Sequence, residues 1–210
     1  MNEARTEQQV FVVDDDEAQR DSLVWLLESH GHRVGAFPHA EGFLAAWNEN
    51  LAGCLVLDVR MPGMSGLELF EELGRRHSAL PVIFITGHGD VPMAVAAIKK
   101  GAADFIEKPF VAEEMLVLID NCLAREREAR ERRRGGADTA RRLAQLTTRE
   151  REVLDLIVAG KLNKQIADVL GISIKTVEVH RARVMEKMEA SSLACLIRRI
   201  VSAEADGTGR

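Results

Sequence analysis

The chain has 210 residues, 46% of them hydrophobic and 29% charged, with a formal net charge of −5, which suits folded soluble structure with room for two ordinary domains. No apolar run approaches the roughly 20 residues needed to cross a bilayer, and residues 1–9 lack an apolar signal segment, so a cytoplasmic location without a membrane partner is expected. The net charge hides an asymmetry: residues 1–124 hold 9 Lys/Arg against 20 Asp/Glu, and the remainder 19 against 13. An acidic half repels nucleic acid and a basic half is drawn to its phosphates, which places a boundary near residue 124. Cys54, Cys122 and Cys195 are far apart and each sits in an apolar pattern, the signature of buried free thiols.

Along the first half, apolar runs alternate with amphipathic segments. Strands are expected at 10–13, 34–37, 54–57, 81–85 and 104–106, and helices at 21–29, 40–47, 67–73, 91–100 and 113–123. Five strand–helix units predict an α/β domain built on a doubly wound, five-stranded parallel sheet. The 54–57 run does not alternate, as in a strand buried on both faces, and it delivers Asp58 to a sheet edge just before the turn formers Pro62 and Gly63. Right-handed crossovers set the first and third strands side by side, so Asp14 and Asp15 face Asp58. The fourth strand leads into Thr86 and the fifth into Lys108, whose bond to Pro109 is a candidate cis peptide.

Each piece has a plainer reading: the acids at 14–17 as a helix cap cluster, Lys108 as a surface cation. Their occurrence after strands one, three, four and five, all at one sheet edge, favours a common site. Converging carboxylates repel unless a cation lies between them, and hard oxygen ligands suit Mg²⁺. Carboxylate, Mg²⁺, hydroxyl and ammonium together make a phosphoryl site, in which the carboxylate attacks and the others neutralise phosphoryl oxygens.

From residue 125 the chain becomes a charged helical linker. Glu126 and Arg130, then Glu128 and Arg132, stand at i,i+4 spacing, Gly135 and Gly136 are expected to break the helix, and a short helical piece follows at 138–146. The linker reads equally as a hinge or a passive spacer. Thr147 and Glu150 have capping-box spacing before the helical run Val153, Leu154, Ile157 and Val158, which Gly160 ends. Ala167, Gly171 and Val177 then meet the needs of a helix-turn-helix: close crossing, a left-handed turn and a packing residue. In the last helix, 192–202, Leu193 and Ile197 are expected in the core, with the rest of the apolar stripe open to self-association, and the tail 203–210 is expected to fray.

Residues 8–124 resemble the receiver domain of FixJ-like two-component response regulators. The resemblance is carried by Val12-Val13-Asp14-Asp15, by Leu57-Asp58-Val59-Arg60-Met61-Pro62-Gly63-Met64-Ser65-Gly66, by Ile85-Thr86-Gly87 with the residues through Ala94, and by Asp104-Phe105-Ile106-Glu107-Lys108-Pro109-Phe110. It implies a flavodoxin-like receiver in which Asp58 accepts a phosphoryl group from the phosphohistidine of a sensor histidine kinase. Asp15 would bind Mg²⁺ directly, Asp14 largely through water, and the Arg60 carbonyl would complete the protein ligands. Thr86 and Lys108 would contact the phosphoryl group, and Phe105 would be the aromatic switch, its plainer reading being an ordinary edge-strand ring.

Residues 146–202 resemble the LuxR-type helix-turn-helix domain through Leu146-Thr147-Thr148-Arg149-Glu150, Asn163-Lys164-Gln165-Ile166-Ala167 and Thr176-Val177-Glu178-Val179-His180. The resemblance implies a recognition helix over 174–187 in the major groove of promoter DNA. Lys175, Thr176, Glu178, Val179, Arg181, Ala182 and Arg183 are then base-contact candidates, and Lys164 and His180 phosphate contacts. Glu178 suits a cytosine amine and Arg181 or Arg183 a guanine. The expected partners are the kinase, promoter DNA and a second copy on phosphorylation, with RNA polymerase a further one.

Two other functions compete. Phosphatases and mutases of the haloacid dehalogenase type also use a strand-end Asp with Mg²⁺, but place a second Asp two residues later. Here that residue is Arg60, so no group is ready to protonate a leaving group and the chain is not expected to be an enzyme. A phosphorylation-gated module whose helical part binds protein is opposed by the basic C-terminal half.

Overall fold

The computed structural model describes residues 8–87 and 91–207, apart from the side chains of Val91, Ala94, Ser202 and residues 204–207. The first part alternates strands and helices: β1 (Gln9–Val13), α1 (Glu17–Ser29), β2 (Val34–Phe37), α2 (Ala40–Ala46), β3 (Gly53–Asp58), α3 (Gly66–Arg75), β4 (Val82–Thr86), α4 (Val91–Lys99), β5 (Asp104–Glu107) and α5 (Ala112–Leu143). The sheet is parallel with order β2-β1-β3-β4-β5. β1 and β3 are therefore neighbours, as the site requires, with Val13 opposite Leu57.

Side chains alternate across the strands, so the sheet has two apolar layers. Phe11, Val13, Leu55, Leu57 and Phe84 pack with Phe43, Leu69 and Ala97 on one face. Val10, Val12, Cys54, Val56, Ile83 and Ile85 pack with Leu23, Leu27, Met115 and Ile119 on the other. Every residue of β3 is buried, and burying each large side chain stabilises by about 1.5–3 kcal/mol. Gly53 starts β3 at φ +134°, where a Cβ would stand 1.7 Å from the Gln9 carbonyl oxygen. Only glycine lets β3 lie this close to β1 there.

Helix α5 corrects the expected break. It runs through Gly135 and Gly136 to Leu143, with Thr139 Oγ1 donating to the Gly135 carbonyl at 2.8 Å and Asp138 paired to Arg141 and Arg142 at 2.6 Å. Each helical glycine costs about 1 kcal/mol, and these bonds together with the packing of Leu143 in the C-terminal core offset it. The piece expected at 138–146 is thus the end of α5. The chain divides into two units between Glu128 and Ala129, within this helix.

The second unit adds α6 (Thr148–Val158), α7 (Asn163–Leu170), α8 (Ile174–Lys187) and α9 (Leu193–Gly207). The Thr147–Glu150 capping box is present, and Gly171 ends α7 in the left-handed conformation, φ +64°. Val153, Leu154, Ile157, Ile166, Ala167, Val177, Val184, Leu196 and Ile200 form the core. On α9 the core positions are Leu196 and Ile200, while Leu193 is exposed and Ile197 half-buried; the expected pair lies one register step off the buried stripe. The helix also persists to Gly207, where fraying from residue 203 was expected, because Ala203, Glu204 and Ala205 are good helix formers. Cys54 and Cys122 are buried free thiols, and Cys195 is half-buried. Among the described residues no helix is long and apolar enough to cross a membrane.

Candidate functional site

Asp58 ends β3, and the chain then turns sharply so that α3 starts directly beneath it. Val59 N donates to the Ile85 carbonyl and Gly66 N to the Val59 carbonyl, each at 3.1 Å. A Cβ on Gly66 would lie 2.1 Å from the Asp58 carbonyl oxygen, so glycine is required at this crossing. Ser65 and Glu68 form a capping box at the start of α3, and Glu41 Oε1 accepts from Met64 N at 3.3 Å, holding the loop from α2.

Both oxygens of Asp58 are engaged. Arg60 N donates to Oδ2 at 2.7 Å and Lys108 Nζ to Oδ1 at 2.5 Å. The same ammonium lies 3.4 Å from Asp14 Oδ2. Asp14 is only 1% exposed and Asp58 7%; Asp16 N donates to Asp14 Oδ1 at 2.9 Å, and Arg20 to the Asp14 carbonyl at 2.9 Å. The acids at 14–17 therefore divide their work: Asp14 faces the site and Asp16 caps α1 by accepting from Gln19 N at 3.1 Å.

Burial raises the pKa of Asp14, and the negative charge of Asp58 adds to it, against the Asp16 N–H and the Lys108 charge. Burial also disfavours the Lys108 ammonium, but the bonds and charges of Asp58 and Asp14 together outweigh this and its pKa is raised. Two buried carboxylates sharing one ammonium leave an excess of negative charge at this sheet edge.

Thr86, wholly buried, ends β4. Its hydroxyl donates to the Ile106 carbonyl at 3.4 Å, a long and weak bond, and its carbonyl accepts from Lys108 N at 2.8 Å. Phe105 pairs in register with Phe84, and its half-buried ring packs on the core. The Lys108–Pro109 bond is cis.

Asp15 is exposed beside this cluster, so the structure joins two of the three expected carboxylates directly. Among the described residues no group of three or more His, Cys, Asp or Glu side chains is arranged around a metal position. The donors nevertheless fit Mg²⁺, which keeps several waters and needs one or two carboxylates. Asp14 and Asp58 already meet around one cation.

In the second unit, Ser173 caps α8 by accepting from Thr176 N at 3.1 Å. With Val177 and Val184 in the core, Lys175, Glu178, Val179, Ala182 and Arg183 are exposed, Thr176 and Arg181 are half-buried, and Lys164 is exposed on α7. His180 is half-buried and its Nδ1 is covered without a hydrogen-bond partner among the described residues, so that nitrogen is no outward donor. Two ties hold the end of α8 and the residue that follows its cap, and neither is signalled by sequence spacing. Lys187 Nζ donates to Glu150 Oε2 at 2.6 Å and to the Gln145 carbonyl at 3.2 Å, and Arg142 pairs with Glu189 at 2.7 Å. The Lys187 bond, with the Thr147 N–H, holds the Glu150 carboxyl down at about 2. Glu150 was legible as a cap residue, but no local spacing signals a partner 37 residues away.

Comparison with known proteins gives two family matches: response regulator receiver domain over residues 10–120, and bacterial regulatory proteins, luxR family, over 144–200. The transcriptional regulatory protein FixJ of Azorhizobium caulinodans is 50% identical over 90% of each chain. Nodulation protein W of Bradyrhizobium diazoefficiens is 46% identical over 93% of this chain and 86% of its own. Among solved structures, the response regulator StyR is similar with a TM-score of 0.84 and 44% identity, over 93% of this chain and 98% of that one. Full-length FixJ from B. japonicum has a TM-score of 0.60 and 44% identity, over 95% and 98%.

Proposed function

The chain belongs to the two-component response regulators that join a receiver to a LuxR-type DNA-binding domain, and from that premise we propose that phosphorylation of Asp58 switches its binding to promoter DNA. The observation that carries the reading is the short Lys108–Asp58 bond at the sheet edge, with Asp14 on the same ammonium. A carboxylate oxygen of Asp58 attacks the phosphorus of a kinase phosphohistidine, the P–N bond breaks, and the imidazole leaves as the acyl phosphate forms. Lys108 then turns from the carboxylate to a phosphoryl oxygen. Mg²⁺ held by Asp14, Asp15, Asp58 and the Arg60 carbonyl would supply charge neutralisation for this transfer.

Thr86 supplies the switch. Its hydroxyl gives up a 3.4 Å bond to the Ile106 carbonyl at little cost and turns to the phosphoryl group. The space it leaves draws the half-buried Phe105 ring inward. Exposed apolar side chains on α4, Met93, Val95 and Ile98, supply a surface for pairing with a second copy; Val91 at the start of the same helix belongs to this reading, and its side chain lies outside the described ones. Pairing places two recognition helices on two half-sites, which raises affinity without new contacts to either. The kinase, DNA, a second copy and RNA polymerase are the partners of this reading, and the cytoplasm its location.

The test is DNA affinity of the full chain as a function of salt, with and without a small phosphodonor. Affinity should fall steeply with salt, rise on phosphorylation, and fail to rise in Asp58→Asn. A phosphorylated chain that binds no duplex would overturn the reading in favour of a protein-binding output.

A further inference from the structure

Helix α8 is capped by Met188, and the residue that follows, Glu189, lies in the left-handed conformation at φ +44°. Helices ordinarily place glycine or asparagine there, because a longer side chain strains the backbone. The Glu189 carboxylate reaches Arg142, in the last turn of α5, at 2.7 Å. Through a different nitrogen the same guanidinium pairs with Asp138, one turn earlier, at 2.6 Å, and only 14% of the Arg142 side chain is exposed. The Arg142 bond lowers the pKa of the Glu189 carboxyl, and the bonds to Glu189 and Asp138 raise that of the guanidinium. The Glu189 side chain is nevertheless 66% exposed, and an ion pair with so open a carboxylate adds little stability. A strained residue kept for a weakly stabilising pair points to geometry as its use.

Two further contacts meet at the same place. Lys187, in the last turn of α8, donates to the Gln145 carbonyl just past the end of α5, and Leu143 of α5 packs in the C-terminal core. Leu143 anchors α5 at one point, about which a helix can swivel. Arg142, held by Asp138 and bonded to Glu189, fixes its direction. Resting on the phosphorylation-switched DNA-binding reading above, we infer that Arg142 and Glu189 are positioning residues that lock the end of the linker helix to the end of the recognition helix. When two copies pair, affinity gains only as far as the second recognition helix is presented to its half-site, and that effective concentration depends on the stiffness of the connection. A swivelling joint would spread the second helix over many orientations and dilute the gain.

The experiment measures affinity of the full chain for a duplex selected from random sequence by the phosphorylated wild type, with and without a small phosphodonor, for wild type, Arg142→Met, Arg142→Lys and Glu189→Gly. The readout is the ratio of the two affinities, in which the uniform effect of a lost charge on DNA cancels, and intact mass confirms equal phosphorylation. Arg142→Met and Glu189→Gly should lower the ratio by about fivefold or more, the lower end of ordinary coupling between sites, and Arg142→Lys should restore part of it. Glu189→Gly also relieves the left-handed strain, so the helical circular dichroism of the C-terminal unit should melt no earlier than in wild type, with tryptophan fluorescence following the N-terminal unit separately. A wild-type ratio in both Arg142→Met and Glu189→Gly, or a lowered ratio found only together with earlier melting, would overturn the inference. A wild type whose affinity is the same with and without phosphodonor would overturn the switching reading itself, and the inference with it.

Discussion

Replacing Lys108 with Met keeps a long side chain and removes the ammonium that lies 2.5 Å from Asp58 Oδ1 and 3.4 Å from Asp14 Oδ2. Two carboxylates that are 1% and 7% exposed then face each other without a cation. Removing one partner of a buried ion pair costs about 3–5 kcal/mol, and because the Lys108 side chain is 24% exposed, water screens part of this, leaving about 2–3 kcal/mol. Urea unfolding at pH 7 reads it. Both tryptophans, Trp25 and Trp47, lie in the N-terminal unit, so their fluorescence reports that unit alone. A second change, Asp14→Asn, should restore about half of the loss in the Lys108→Met background, since it removes the repulsion that the ammonium had masked. An unchanged urea midpoint in Lys108→Met would refute the claim that this ammonium balances the two carboxylates.

Gly66→Ala should abolish the folded fluorescence signal of the receiver, because its Cβ would meet the Asp58 carbonyl oxygen at 2.1 Å, whereas Gly74→Ala in the same helix, with nothing within 4 Å, should stabilise it by about 0.5–1 kcal/mol. Glu150 has its carboxyl lowered from 4.5 to about 2 by the Lys187 bond and the Thr147 N–H. Its contribution is therefore complete above pH 4.5 and lost as the pH falls toward 2; circular dichroism should show an acid transition of the C-terminal helices that Lys187→Met makes shallower. Millimolar Mg²⁺ should raise the thermal midpoint of the wild-type receiver, and Asp14→Asn or Asp15→Asn should reduce that rise; a rise of equal size in both variants would remove these residues from the metal site.

The sheet order and the Asp14–Asp58–Lys108 cluster were legible in sequence because both follow from local pattern. Apolar runs too short for helices mark strands, and right-handed crossovers leave few ways to order them, so residues just past the strand ends fall together. Asp15 follows Asp14 in the loop and is exposed; period-two reasoning fixes directions within a strand but not in the loop after it. α5 was expected to stop at Gly135-Gly136 and continues. There propensity lost to the Asp138 ion pairs and to the packing of Leu143, which a local reading does not weigh. On α9 the apolar stripe is plain in the sequence, but the core positions within it are Leu196 and Ile200 and not the expected Leu193 and Ile197. A stripe that wide has two edges, and only the packed neighbours decide between them. The Glu150–Lys187 and Arg142–Glu189 ties had no signal at all, being contacts between charged residues distant in sequence.

The central claim is that Asp58 is the phosphoacceptor, and the most direct measurement is the intact mass of the full chain after incubation with Mg²⁺ and a small phosphodonor. The expected result is the gain of one phosphoryl group by the wild type and none by Asp58→Asn, with the group lost again on treatment with hydroxylamine, as befits an acyl phosphate. A wild type that gains nothing from competent donors, or an Asp58→Asn variant that gains as much, would contradict it.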